Sequence, residues 1–100
     1  MTTKVTEHNF ENFINDNDTV LIDFFADWCG PCKALGPVLE EISDENPKLM
    51  IGKINVDDEM ELASQFKVRS IPTMIVFKGG KEIERMVGFL PKEEILKKIA

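Results

Sequence analysis

The chain has only two cysteines, Cys29 and Cys32, and Gly30 and Pro31 separate them in the stretch ADWCGPCK. Two sulfurs at this spacing can form a structural disulfide, supply part of a metal site, or act as a redox pair. A bridge across two residues closes a very short loop, which constrains little of the unfolded chain. Zinc usually takes four ligands, and the chain adds only one histidine, His8. The redox pair is therefore the favoured interpretation, and a metal cluster shared between two chains is the alternative.

The spacing also suggests different roles for the two sulfurs. If Cys29 is the N-cap of a helix, its sulfur can accept the backbone N–H of Cys32, and the positive end of the helix favours its thiolate. Pro31 fits the first turn, because the N–H that it lacks has no helical partner there. We therefore expect Cys29, at the exposed end, to attack a target disulfide. Cys32, one turn further along, would resolve the mixed disulfide.

Proton transfer to the sulfurs needs a base, and no histidine lies near them in the sequence. Asp23 is the candidate, since it interrupts the apolar run VLIDFFA. Burial would raise the pKa of this carboxyl and suit it to proton exchange near neutral pH. The alternative is that Asp23 faces solvent or a strand end. Lys53, inside MIGKINV, is either its ion-pair partner, which would lower that pKa, or an edge lysine that extends into water.

Hydrophobic patterns predict the strands that must position these groups. Two nearly continuous apolar runs, residues 20–26 and 50–56, are typical of strands buried on both faces. Gly79 and Gly80 separate two further strand-like runs, which predicts an antiparallel hairpin whose charged second strand lies at a sheet edge. Strands joined through helices are expected to be parallel.

Four helices are predicted before, between and after these strands. Thr6 is placed to cap the first, and the second starts at the cysteines and should be kinked at Pro37. Asp58 and Glu61 have the spacing of a capping box for the third helix. Pro91 begins the fourth, and acidic residues in its first turn and lysines in its last suit the helix dipole.

Length and charge limit the function classes. A chain of 100 residues is one domain, residues 1–100, with no room for a separate cofactor domain. The net charge of −6 argues against nucleic acid and anionic membrane surfaces as partners. The N-terminus has no apolar stretch of signal-peptide length, so we expect a cytoplasmic protein. Thiols are kept reduced in that compartment, which favours a catalytic role for the cysteines.

Three motifs together are highly specific: WCGPCK after an apolar strand that contains an aspartate, SIPT before a strand, and VGF near the end. By these motifs the chain resembles the thioredoxins over essentially all of its residues. The resemblance implies an α/β protein with the thioredoxin fold, a central mixed five-stranded sheet flanked by four helices in the order βαβαβαββα. One position departs from the pattern, because Phe25 stands where bacterial thioredoxins commonly have tryptophan.

The resemblance also implies roles for individual residues. Cys29 would be the attacking thiol and Cys32 the resolving one, with Asp23 deprotonating Cys32 and Lys53 beside Asp23. Pro72 matches the family's cis-proline, which faces the disulfide. The residues expected to contact the substrate chain are Trp28, Gly30, Pro31, Ile71, Pro72 and Gly88. From sequence patterns alone, Ile71 and Pro72 indicate only a turn that enters a strand.

The function implied is that of a thiol-disulfide oxidoreductase, a protein-disulfide reductase that reduces cytosolic target proteins. The chain has no Gly-rich nucleotide-binding motif, so no cofactor is expected on it. Electrons would come from a separate thioredoxin reductase, usually a flavin enzyme that uses NADPH, and the chain would act as a monomer. The alternative is a non-catalytic binding or chaperone-like module with the same fold, which the presence of both cysteines disfavours.

Overall fold

The computed structural model describes residues 1–100 and contains five strands and four helices. In chain order they are β1 (Thr3–Lys4), α1 (Phe10–Asn15), β2 (Thr19–Phe25), α2 (Gly30–Glu45), β3 (Leu49–Asn55), α3 (Met60–Gln65), β4 (Thr73–Lys78), β5 (Lys81–Val87) and α4 (Lys92–Ile99). This order confirms the predicted βαβαβαββα fold class.

All five strands form one mixed sheet in the order β1-β3-β2-β4-β5. Strand β3 pairs in parallel with both β1 and β2, whereas β4 pairs antiparallel with β2 and with β5. The centre of the sheet is β2, which is paired on both sides along most of its length. The predicted hairpin is also confirmed. Gly79 and Gly80 have φ of 58° and 79°, the positive values that a two-residue hairpin turn requires, and β5 lies at the sheet edge.

The expectation that strands joined through helices are parallel is correct for β2 and β3 but wrong for β3 and β4. Between β2 and β3, the 16-residue helix α2 rises about 24 Å and returns the chain along a seven-residue strand of roughly 23 Å. Between β3 and β4, the six-residue helix α3 rises only about 9 Å, and the chain enters β4 from the end of the sheet at which β3 stopped. Helix length alone does not decide the direction, because the equally short α1 joins β1 to β2, which run parallel.

The core lies on both faces of the sheet, and successive residues of β2 alternate between them. Val20, Ile22 and Phe24 pack with residues of α1 and α3. Leu21 belongs to the cluster on the other face, which includes residues of α2 and α4. Asp23, two residues after Leu21, therefore lies on the face that α2 and α4 cover.

The predicted cap of the first helix is wrong. Helix α1 begins at Phe10 after Asn9, and no side chain caps it. Thr6 lies in the preceding turn, where its backbone N–H donates to Oδ1 of Asn9 over 2.8 Å and its carbonyl accepts the N–H of Phe10. Residues 7–9, which would follow a cap at Thr6, form this turn instead of the start of the helix.

The capping box of the third helix is also wrong. The N-cap of α3 is Glu59 and makes no side-chain cap, which puts Asp58 one residue too early. The carbonyl of Asn55 accepts the backbone N–H groups of Asp58 and Glu59 instead. A cap requires its acceptor at the N-cap position itself, so the spacing to Glu61 alone does not make one.

Pro37 lies inside helix α2, which runs from Gly30 to Glu45, and the kink expected there stays a prediction. Pro91 is the N-cap of α4 rather than its first residue, with φ of −71° and an extended ψ of 161°. None of the four helices has both the length and the apolar character needed to cross a membrane.

Candidate active site

The cysteines lie where β2 gives way to α2. Cys29 is the N-cap of α2 and has an extended backbone, and its Sγ accepts the N–H of Cys32 over 3.2 Å. Pro31 lies in the first turn, as expected. A disulfide joins Cys29 and Cys32, whose Cα atoms are 5.2 Å apart. The predicted helix N-terminal arrangement of the two sulfurs is confirmed.

Exposure does not distinguish the two cysteines, so the expectation that Cys29 lies at an exposed end is wrong. Cys29 is 5% exposed and Cys32 is 4% exposed. Val56 and Ile71 pack against the cluster that the cysteines form with Ala26, and the carbonyl oxygen of Ile71 lies 3.8 Å from the Sγ of Cys29. What separates the two sulfurs is the backbone N–H and the helix N-terminus that act on Cys29.

Asp23 is completely buried, so the alternative that it faces solvent or a strand end is wrong. Neither oxygen of its carboxyl group has a hydrogen-bond partner. Burial without such partners disfavours the charged form. It raises the pKa of Asp23 from 3.8 to about 6, and the positive charge of Lys53 limits the rise. A carboxyl with this pKa exchanges protons close to neutral pH.

Lys53 lies directly opposite Asp23 in the pairing of β2 with β3. The two side chains make no ion pair within 4 Å, so the ion-pair interpretation is wrong at the level of contact. The Nζ of Lys53 instead lies 4.6 Å from the centre of the Phe25 ring. This half-buried lysine acts on the pKa of Asp23 through its field alone.

Three other segments meet around the disulfide. Trp28 is 70% exposed, and its Nε1 donates to the Oδ2 of Asp57 over 2.9 Å. The peptide bond between Ile71 and Pro72 is cis. Gly88 has φ of 91°, which favours glycine, and its N–H donates to the carbonyl of Pro72 over 2.7 Å. The residues expected to contact a substrate chain thus come from the segments after β2, before β4 and after β5.

Gly30 and Pro31 complete this surface, since both are exposed at the start of α2. Two residues of the site were not among those predicted from the sequence. Val56 packs on the cysteine cluster and Asp57 holds Trp28. The sequence indicates these two residues only by their position just after β3, at the edge where parallel strands end. Asp58 has the same position, so this indication does not single them out.

The zinc alternative requires further ligands near the sulfurs. No group of three or more histidine, cysteine, aspartate and glutamate side chains is placed to hold a metal ion. His8 is exposed in the turn that precedes α1.

Comparison with known proteins gives one consistent result. The thioredoxin family model matches residues 1–100. The chain is 51% identical over 98 residues to a thioredoxin from Chlorobaculum thiosulfatiphilum, with 96% of this chain and 91% of the relative covered. It is 50% identical over 95 residues to a thioredoxin from Chlamydia caviae, with 95% and 92% covered.

Solved structures agree with these relatives. A mutant thioredoxin from Halobacterium salinarum superposes with a TM-score of 0.93 at 36% identity and covers 98% of this chain and 87% of that one. The oxidized form of mitochondrial thioredoxin 3 from Saccharomyces cerevisiae gives a TM-score of 0.91 at 34% identity, with 98% and 92% covered.

Thioredoxins are disulfide reductases that need no cofactor, because the pair of cysteines itself carries the electrons. Their partners are, in general, disulfide-containing target proteins and a reductase. The family match spans all 100 residues and the disulfide closes a Cys-Gly-Pro-Cys motif at a helix N-terminus. The chain therefore belongs to the thioredoxin family of thiol-disulfide oxidoreductases.

Proposed function

We propose that this protein is a cytosolic protein-disulfide reductant in which Cys29 attacks the target and Cys32 resolves the intermediate. The observation that carries this order is the 3.2 Å hydrogen bond from the N–H of Cys32 to the Sγ of Cys29 at the start of α2. This donor and the helix N-terminus both stabilise negative charge on Cys29. The Sγ of Cys32, three residues further along, accepts no hydrogen bond.

The reaction balances without a further reagent. In the dithiol form, the thiolate of Cys29 attacks one sulfur of a target disulfide, forms the mixed disulfide and releases the other target sulfur as a thiolate. Cys32 then loses a proton and attacks Cys29. This step forms the Cys29–Cys32 disulfide and releases the second target thiol. Two electrons pass from the protein to the target, and the two released target sulfurs take up two protons.

Asp23 is the group that we assign to deprotonation of Cys32. Its support is its complete burial beneath α2, its unpartnered oxygens and its raised pKa of about 6. A general base works best when its pKa lies near the working pH, which an ordinary aspartate does not reach. Lys53 tunes this group, since its positive charge keeps the pKa from rising further.

Docking of the target chain is assigned to the surface around the disulfide. Trp28, Gly30 and Pro31 are exposed and adjoin the cysteines in sequence, Ile71 packs against the cysteine cluster, and the N–H of Gly88 donates to the carbonyl of Pro72. Because Cys29 and Cys32 are themselves almost inaccessible, a target must fit closely against this surface to bring its own sulfur within reach.

Recycling is assigned to a separate thioredoxin reductase, a flavin enzyme that uses NADPH. The protein then acts as a monomer that alternates between reductase and target through one surface. A cytosolic location suits this cycle, because a dithiol reductant requires a compartment that keeps it reduced.

The test is a trapping experiment with reduced Cys32→Ser protein and a target that carries a disulfide. We expect a covalent complex to accumulate, because Cys29 can attack while nothing resolves the product. Cys29→Ser, which keeps Cys32, is the matched control and should form no comparable complex. Equal trapping by the two variants would contradict the assigned order. Absence of any complex, together with wild-type protein that turns over no disulfide with NADPH and a reductase, would refute the function.

A further inference from the structure

A cleft of about 410 Å³ lies between α3 and the following loop, residues 66–72. Its lining includes Val56, which packs against the buried cluster that holds both cysteines. It also includes Arg69, two residues before Ile71, whose carbonyl oxygen lies 3.8 Å from the Sγ of Cys29. The cleft therefore opens beside the disulfide.

The charge of this cleft is opposite to that of the whole protein. Its lining includes two exposed cations, Lys67 and Arg69, and no acidic residue, although the chain carries a net charge of −6. Neither cation makes an ion pair within 4 Å. The other arginine of the chain, Arg85, is held by Glu82 and by the carbonyl of Phe66. The two cleft cations are therefore free to bind a group from outside.

The rest of the cleft lining is largely apolar. Met60 is 71% exposed, and Ala63 and Val68 continue the apolar surface. An exposed methionine next to alanine and valine provides an adaptable contact for an apolar side chain. The cleft thus combines an apolar patch with two cations.

Lys67 has a backbone conformation that glycine usually provides. It follows the C-cap of α3 with φ of 55°, and its N–H donates to the carbonyl of Ser64 over 3.0 Å. A lysine near the end of a helix also interacts favourably with the last carbonyl groups. That effect accounts for a cation at Lys67. It does not account for Arg69, which lies further from the helix end and bonds to none of its carbonyls.

We propose that Lys67 and Arg69 form a docking subsite for a carboxylate side chain of the target protein, beside an apolar target side chain that contacts Met60 and Val68. The subsite rests on the proposed function, since the target's cysteine must lie at Cys29. Arg69 lies two residues from Ile71, whose carbonyl oxygen is 3.8 Å from the Sγ of Cys29, so an extended target chain alongside this segment would bring a residue about two or three positions from its cysteine to Arg69. The cleft thereby selects disulfides in acidic segments of target proteins.

The test compares two peptides that differ only in charge. Each contains one cysteine in mixed disulfide with mercaptoethanol, flanked two residues away on both sides by Glu in one peptide and by Gln in the other. The second-order rate constant for reduction by the reduced protein is measured at low salt. We expect the Glu peptide to react about three- to tenfold faster than the Gln peptide. The difference should shrink at about 0.5 M salt, because salt screens exposed charges.

Two double variants show where the preference arises. Lys67→Gln with Arg69→Gln should abolish it. Lys78→Gln with Lys81→Gln lowers the positive charge equally at the hairpin, at the far end of β4, and should retain it. Lys67→Arg alone should also retain it, which distinguishes a role of the charge from disturbance of the loop. Far-UV circular dichroism checks that every variant is folded.

The outcomes separate the subsite from the function on which it rests. Hydroxyethyl disulfide carries no charge and needs no cleft, so wild type and both double variants should reduce it equally. If wild type reduces neither peptide nor any protein disulfide, the proposed function is wrong. If wild type reduces both peptides at the same rate, only the subsite is wrong. If the hairpin variant loses the preference for the Glu peptide as fully as the Lys67/Arg69 variant does, the subsite is also wrong. The preference would then come from the overall charge of the protein.

Discussion

Replacing the buried carboxyl by its neutral isostere, Asp23→Asn, should stabilise the folded protein at neutral pH. In the unfolded chain this carboxyl ionises with its ordinary pKa of 3.8, whereas burial raises the pKa to about 6 in the folded protein. Folding therefore works against ionisation at any pH above 3.8. At 1.36 kcal/mol per pKa unit, the difference corresponds to about 3 kcal/mol. For a domain whose total stability is about 5 to 15 kcal/mol, this is a large gain.

The pH dependence has a definite sign. Below pH 3.8 the group is neutral in both states, so wild type and Asp23→Asn should be equally stable. Between pH 3.8 and 6 the wild type should lose stability relative to the variant, and above pH 6 the gap should be constant.

Urea unfolding of the oxidised proteins, followed by circular dichroism from pH 3.5 to 8, measures this gap. Asp18→Asn, an exposed aspartate just before the same strand, is the matched control and should show no comparable gain. Equal stability of wild type and Asp23→Asn at pH 8, or a gap that persists unchanged at pH 3.5, would refute the reasoning.

Three further predictions follow from the same contacts. Asp23→Asn should slow turnover most near neutral pH, with little loss of target binding; coupled assays from pH 5 to 8 that show an unchanged kcat would remove Asp23 as the base. Gly52→Ala should destabilise the fold by about 1 to 3 kcal/mol in urea unfolding, because its new Cβ would lie 2.6 Å from Cγ2 of Val5. Gly36→Ala, in helix α2 with nothing within 4 Å of the new Cβ, should instead stabilise by up to about 1 kcal/mol, and a loss of stability there would contradict the helix packing.

Much of the fold could be predicted because hydrophobic period and turn chemistry are local properties. The central strands β2 and β3 were displaced by only one residue from the predicted ranges, and Gly79 and Gly80 gave the hairpin directly. The antiparallel entry of β4 could not be predicted in this way. It depends on the path of residues 56–72, which include the six-residue helix α3, and the local sequence pattern does not determine that path.

In the site too, local features could be predicted from the sequence, and features that depend on distant parts of the chain could not. The helix N-terminal position of Cys29 follows from Gly30 and Pro31, so the sequence predicted its hydrogen bond. The burial of both sulfurs did not follow, because Val56 and Ile71 reach them from other parts of the chain. Asp23 remained open between two interpretations for the same reason. Its surroundings come from α2 and α4 as well as from its own strand.

The connection between β3 and β4 also determines which parts of the molecule can be altered freely. Because residues 56–72 stay at one end of the sheet, β4 begins beside the disulfide and its far end meets the start of β2, where Lys78 pairs with Thr19. The turn at Gly79 and Gly80 is therefore a whole strand length away from the sulfurs. An epitope or a second domain inserted between these glycines would lie at the end of the sheet opposite the disulfide. The surface around the disulfide would stay accessible.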